Sequence, residues 1–226
     1  KKKLTADQKY LLRQNFKFYN RLTDKNKSRF EHRLMCFLDD KEFVSRGGFQ
    51  FTEDKKLLIS ATAIMLTFGM RKYLLPILQK IIVYPGEFYS TTNEQYHKGE
   101  FNPKYKALVL SWEDFERGYR IENDNLNLGI HELTHAIHLN SLRRGDTASV
   151  VFSDGFSELL KLLRKDLKAG KIQNSGFIRD YAFTNEYEFL AVVVENFIES
   201  PKEFKTQFPK LYKKIQQMFN FRFAGY

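Results

Sequence analysis

Residues 126–139 read LNLGIHELTHAIHL, and this stretch constrains the fold more than any other. Leu126, Leu128, Ile130, Leu133, Ile137 and Leu139 surround the polar positions, so the segment reads as a helix buried on most sides. Yet His131, His135 and His138 fall inside it, three of the five histidines in the chain. Imidazoles placed in an apolar helix need partners. Positions four apart lie on one helix face, so His131 and His135 can aim at a single point. A zinc ion about 2.0–2.1 Å from each ring nitrogen would satisfy both. Glu132 stands beside the first histidine, placed to take a proton from water at the metal and to return it to a leaving amine. The spacing HExxH arises by chance in roughly one chain in two hundred of this length, so it needs support from the rest of the sequence. The alternative is a helix whose histidines face a polar groove.

A catalytic zinc takes three protein ligands and keeps one position open. Ser141 occupies the place where a third histidine would fall six residues on, which leaves a carboxylate from another helix. The segment Tyr181–Glu199, YAFTNEYEFLAVVVENFIE, carries acids inside an apolar helix pattern, with Thr184 or Asn185 as its cap. Glu188 and Glu195 are seven residues apart, two turns along one face. Glu188 is expected as the third ligand and Glu195 as a carboxylate behind the metal that orients a ligand histidine. Glu186, on another face near the helix start, is the alternative ligand.

The rest of the chain is read as mostly helical. Thr5 can cap a helix carrying Leu11, Leu12, Phe16 and Tyr19, and Thr23 another carrying Phe30, Leu34 and Leu38. After a break at Arg46-Gly47-Gly48, Thr52 starts a helix through Leu57, Ile64 and Phe68. Strands are expected at Lys80–Tyr84 and within Tyr105–Trp112, and Glu113-Asp114 opens the next helix. Helical periodicity resumes at Asn125 and runs to about Phe219, broken near Arg144-Gly145 and Gly170-Lys171.

The formal charge of +10 over 226 residues sits at the ends: residues 1–40 carry net +6 and residues 201–226 net +5. Those basic residues are spaced at helical intervals, as in Lys9, Arg13, Lys17 and Arg21, without the aromatic interleaving of a nucleic-acid motif. Solvated helix faces are expected, with an acidic partner surface second and nucleic acid not expected. The longest apolar-leaning run, Leu57–Met70, is 14 residues with Ser60, Thr62 and Thr67 inside it, too short to span a bilayer. The single cysteine, Cys36, excludes an intrachain disulfide framework and fits a reducing, cytoplasmic compartment. Lys1–Lys3 would suit the flank of a membrane anchor lying before Lys1, although a solvated N-terminus is the simpler expectation.

HELTH with the preceding Gly129-Ile130, VYPGEF at 83–88, LSWEDF at 110–115 and NEYEFLAVVVENF at 185–197 together resemble the Mlc titration factor A (MtfA) family of zinc peptidases. SPKEFKTQFPKLYKKI at 200–215 is similar to that family's closing helix, so the likeness runs from about residue 35 to 219. More distantly, the spacing from Tyr181 to Glu188 is similar to that in the catalytic domain of anthrax lethal factor. The resemblance implies a gluzincin-type site: His131, His135 and Glu188 as ligands, Glu132 as base, Asn185 in the pattern leading to Glu188, and Tyr181 donating to the oxyanion. It implies that the strand Leu108, Val109, Leu110 and Ser111 is the edge on which an extended peptide lies. It implies either an amino-peptide-cleaving enzyme with peptide substrates or a protein that sequesters a transcriptional repressor. Where the family has Asp three residues after the second histidine this chain has His138, expected behind the metal as a partner of its ligands. An extra ligand and a solvated side chain are its other readings. Where the family has Pro after Asn185, this chain has Glu186.

The expected fold is α+β, mostly helical and zincin-like, with a small mixed sheet packed on the HExxH helix. One domain is expected over 1–226, with 1–45 as a helical extension and 46–226 as the core.

Overall fold

The computed structural model describes residues 3–92, 94–121, 124–168, 172 and 175–226. Three helices open it: α1 (Ala6–Asn15), α2 (Lys17–Arg21) and α3 (Asp24–Asp40). Thr5 and Gln8 form a reciprocal capping box at the start of α1, and Thr23 accepts from Asn26 N–H to start α3. The single opening helix expected through Tyr19 is interrupted, because Phe16 adopts an extended conformation between α1 and α2. That break buries Leu12, Phe16, Phe18 and Tyr19 together, which one straight helix with a 3.6-residue period could not do.

Strand β1 (Glu42–Ser45) follows, then the Gly47-Gly48 turn and α4 (Glu53–Leu66), capped by Thr52. Both glycines have positive φ, 59° and 80°, which accounts for the break at this point in the chain. Next come β2 (Lys80–Tyr84), β3 (Phe88–Ser90), β4 (Gln95–His97), β5 (Gly99–Asn102) and β6 (Ala107–Ser111). The main sheet runs β1-β2-β6-β5, and β3 pairs with β4 in a separate two-stranded ribbon. Strands β1, β2 and β6 are parallel, and β5 runs antiparallel to β6 with Gly99 opposite Leu110 and Asn102 opposite Ala107.

This topology corrects one expectation. Leu108–Ser111 is not an edge strand: β6 is paired with β2 on one side and β5 on the other, so its backbone is already used. Leu108, Leu110 and Ser111 are fully buried. Ser111 is further occupied as the cap of α5 (Trp112–Arg120), accepting from Asp114 N–H. The edge next to the histidine helix is β5. Strand β1 also lies within the segment 1–45 expected to be a helical extension, yet it belongs to the sheet.

The second half is helical: α6 (Leu128–Ser141), α7 (Thr147–Lys168), a 3-10 turn at Asp180–Phe183, α8 (Glu186–Glu199), α9 (Pro201–Gln207) and α10 (Pro209–Met218). The expected break at Gly170-Lys171 lies outside the described residues. The closing helix is two helices, because Pro209 has no N–H to continue α9 and instead starts α10. Helix α6 packs on β5, β6, α4 and α8, and α10 packs on α7. One cluster of buried apolar side chains runs from Leu4 to Phe221 and includes α6 and α8. Mostly helical α+β with a small mixed sheet against the histidine helix is therefore the architecture.

Candidate metal centre

Asn127 starts the site. Its side-chain oxygen accepts from Ile130 N–H (3.0 Å), capping α6 just before the histidines. Gly129 is required one turn before Leu133, since a Cβ there would lie 2.5 Å from the Phe115 ring. Helix α6 then turns His131 and His135 to one side, their ring centroids 4.9 Å apart.

Helix α8 supplies the opposing carboxylates. Asn185 caps it, accepting from Tyr187 N–H (2.9 Å) and Glu188 N–H (3.0 Å), which anchors the first turn where Glu188 sits. Glu188 Oε2 lies 2.9 Å from His131 Nε2, and Glu188 Oε1 lies 3.5 Å from His135 Nε2. One donor atom from each of these three residues falls within 4.8 Å of the others, a group that could hold a metal ion. Two imidazoles and one carboxylate, from two helices and with solvent access, are the donor set of a three-ligand site with an open position. Glu186 points elsewhere and pairs with Arg164 at 2.8 Å.

Behind the histidines lies a buried ionic network. Glu195 is 1% exposed; its Oε1 is 2.7 Å from His131 Nδ1 and accepts from Arg179 Nη2 at 2.7 Å. Its Oε2 accepts from Asn127 N–H at 2.8 Å. Arg179 Nη1 donates to the Asn125 carbonyl at 2.9 Å. With a carboxylate at Nδ1, the ring directs Nε2 toward Glu188. Neither Arg179 nor Asn127 was anticipated from the sequence. A signal existed for each: a carboxylate inside a helix that is apolar all round demands a cation, and Asn directly before an apolar helix is a cap.

Charge states follow this packing. Burial alone would lower the His131 pKa, but hydrogen bonds to Glu188 and Glu195 outweigh it and raise it to about 10. Burial would raise the Glu188 pKa, and the same histidines hold it well below the ordinary carboxylate range. Glu132 is buried between α6 and β5, and desolvation raises its pKa against the pull of His131 and His135. A Cβ at Gly99 would lie 2.7 Å from Glu132 Oε1, so the glycine of β5 makes room for this carboxylate. Tyr181 is half exposed, its ring centroid 6.0 Å from that of His131, and burial and Glu188 push its phenol up to about 12.

His138 has another environment. It is buried against Phe156 (centroids 4.4 Å apart), Phe152 and Tyr187, and its Nδ1 has no hydrogen-bond partner. Desolvation lowers its pKa to about 4. The group that could hold a metal ion does not include it, so the expected place behind the metal as a partner of its ligands is not where His138 lies. A cavity of about 540 Å³ opens over His131 and Glu132, bounded by Tyr181, Arg179, Gly99 and Arg117.

A mixed sheet with an antiparallel edge beside an HExxH helix, answered by a glutamate from a second helix, is the organisation of a zincin-like metallopeptidase. The sequence model of the glucose-regulated metallo-peptidase M90 family matches residues 1–220, and the chain belongs to that family. It is similar to an uncharacterized protein of Synechocystis sp., 26% identical over 224 residues that cover 89% of this chain and 79% of the relative. It is also similar to Mlc titration factor A of Escherichia coli O1:K1 (21% identical) and of Shigella flexneri serotype 5b (24%). Each of those alignments covers 218 residues, 88% of this chain and 80% of the relative.

Proposed function

We propose that this chain is a zinc-dependent peptidase that hydrolyses peptide bonds. The convergence of His131, His135 and Glu188 beside the buried Glu132, with an open cavity over His131 and Glu132, carries the reading. When bound, zinc would supply a Lewis acid that polarises a carbonyl oxygen and lowers the pKa of water. His131, His135 and Glu188 are the residues that would hold it. Glu195 and Arg179 keep the His131 ring in the orientation that leaves Nε2 for the site. Glu132 accepts the proton of the attacking water, and its raised pKa makes it a stronger base than a solvated carboxylate. It then passes that proton to the leaving amine. Tyr181, protonated at neutral pH, donates to the oxyanion as charge develops. The free edge of β5, Gly99–Asn102, offers backbone groups to an extended peptide. Amino-terminal trimming of short peptides is placed ahead of internal cleavage, following the family resemblance.

Stripping the metal with a chelator and restoring zinc tests this reading. Cleavage of short peptides should vanish on stripping and return with zinc. Cleavage that persists in the metal-free chain contradicts it.

The name of the E. coli and Shigella relatives, Mlc titration factor A, favours a second reading. In it the chain acts by binding a regulator of transcription, and the basic helix faces at its two ends provide the surface. A folded, zinc-loaded chain that cleaves nothing but retains such a protein partner would favour it. Among the described residues no helix is long and apolar enough to cross a membrane.

A further inference from the structure

A second cavity, of about 400 Å³, lies on the other side of Asn127 from the metal centre. Helices α2, α4 and α6 and the junction of α8 with α9 enclose it, and Phe16, Met65, Ile130 and Ile198 give it an apolar wall. Glu199, the last residue of α8, also lines it and plays no part in the proposed hydrolysis. Glu199 Oε1 accepts from Asn127 Nδ2 at 3.1 Å and the Asn125 N–H adds to the hold on the carboxylate, whereas Oε2 is closed to solvent and makes no hydrogen bond of ordinary geometry. Burial pushes the Glu199 pKa up to about 8, so in the empty cavity the acid holds its proton at neutral pH, and a cation seated on it would draw it to the ionised form. At the rim stand Arg21 and Lys202, with no ion-pair partner among the described residues. Glu203, the other acid of the lining, is engaged by Gln207 at 3.0 Å.

We propose that this cavity binds a free amino acid with an apolar side chain. Its ammonium meets Glu199, its carboxylate meets Arg21 and Lys202, and its side chain rests on the wall formed by Phe16, Met65 and Ile198. Three features select that chemistry. The acceptor lacking a donor calls for a cationic or N–H group, the basic rim calls for an anion, and the wall calls for a hydrocarbon. A free amino acid carries all three within one small molecule, and the volume lies in the range of small-molecule sites. Oε2 is closed to solvent in the empty cavity, so a ligand engages Glu199 by turning its carboxylate about the broad terminal torsion, and that turn loosens the Asn127 hydrogen bond to Oε1.

The site is wired to the metal centre. Asn127 Nδ2 holds Glu199, Asn127 N–H holds Glu195, and Glu195 holds His131. A ligand on Glu199 therefore acts on the same residue that caps α6 and fixes Glu195, and by linkage metal and amino acid alter one another's affinity by one factor.

Calorimetric titration of the full chain with L-leucine, N-acetyl-L-leucine and isoamylamine tests the proposal. Leucine should bind one to one, while the acetylated compound, without its ammonium, and the amine, without its carboxylate, should each bind about tenfold or more weakly. Glu199→Gln keeps the shape and the Asn127 hydrogen bond and should weaken leucine by about tenfold, and the exposed Arg21→Ala by several-fold. Glu132→Gln should leave leucine affinity unchanged, which separates this cavity from the metal pocket whatever becomes of the hydrolytic reading. Absence of binding at about 10 mM leucine overturns the proposal. So does affinity indifferent to both Glu199→Gln and Arg21→Ala. Equal leucine affinity in the zinc-loaded and metal-free chain overturns the wiring through Asn127.

Discussion

Glu195 takes every donor that its burial demands: His131 and Arg179 on one oxygen and the Asn127 amide on the other. Removing one partner leaves a charged group stranded in the core, which costs more than the pair contributes when intact. Arg179→Gln should therefore weaken zinc binding by about 10–100-fold, measured by competition with a chromophoric chelator. Unchanged affinity would mean that Arg179 does not position His131. His138 makes a prediction of a different kind. Its folded pKa of about 4 lies below the ordinary value of 6.5, so unfolding takes up a proton between those values. The stability it confers is complete above about pH 6.5 and declines as pH falls toward 4, by about 3 kcal/mol. In His138→Phe, which suits the ring cluster of Phe152 and Phe156, the fall in Tm between pH 7 and pH 5 should shrink; an identical fall would exclude His138 as its source. His138 differs from His131 and His135 in how far the sequence discloses its role. HExxH places two rings on one face by helix geometry alone. His138 shares a helix with them, yet its surroundings come from α7 and Tyr187, which helix spacing does not report.

At the scale of elements, the contact between β5 and α6 decides how close the sheet edge comes to the site. Gly99 faces Glu132 and Leu128 with no room for a methyl group. Gly99→Ala should push β5 from α6, costing about 1–3 kcal/mol of stability, and should lower peptide turnover more than it changes zinc affinity. Equal turnover per folded molecule would show that β5 and Glu132 act independently. This strand was the least legible part of the fold. GEFN is four residues, starts with Gly and lacks alternation, whereas KIIVY and ALVLS are apolar runs that read as strands at once. Pairing order is a tertiary property that the family resemblance alone does not settle, whereas the apolar run of ALVLS is that of an interior strand, as the sheet order shows. Helix starts were legible for the opposite reason: Thr5, Thr23, Thr52 and Asn185 satisfy N–H groups two or three residues away.

For the molecule as a whole, α6 and α8 each carry part of the group that could hold a metal ion, and both lie within the same apolar cluster. A ligand that joins them stabilises the native state alone. Zinc at 100 times its Kd should add about 2.7 kcal/mol to stability, and Glu188→Gln should lose most of that gain. A zinc-independent Tm in the native chain would contradict metal binding at this group. Sequence spacing could pair His131 with His135, but joining them to Glu188 across 57 residues needed either the folded chain or a family pattern.

Peptide hydrolysis driven by Glu132 is tested by comparing the native chain with a variant that keeps the shape of that side chain but cannot take the proton. A mixed peptide library is incubated with the zinc-loaded chain and, in parallel, with zinc-loaded Glu132→Gln, and the products are read by mass spectrometry. New termini should come from the native chain and none above background from the variant, with the positions of the cuts separating amino-terminal trimming from internal cleavage. Equal products from both proteins, or none from a native chain shown to hold zinc, would contradict it.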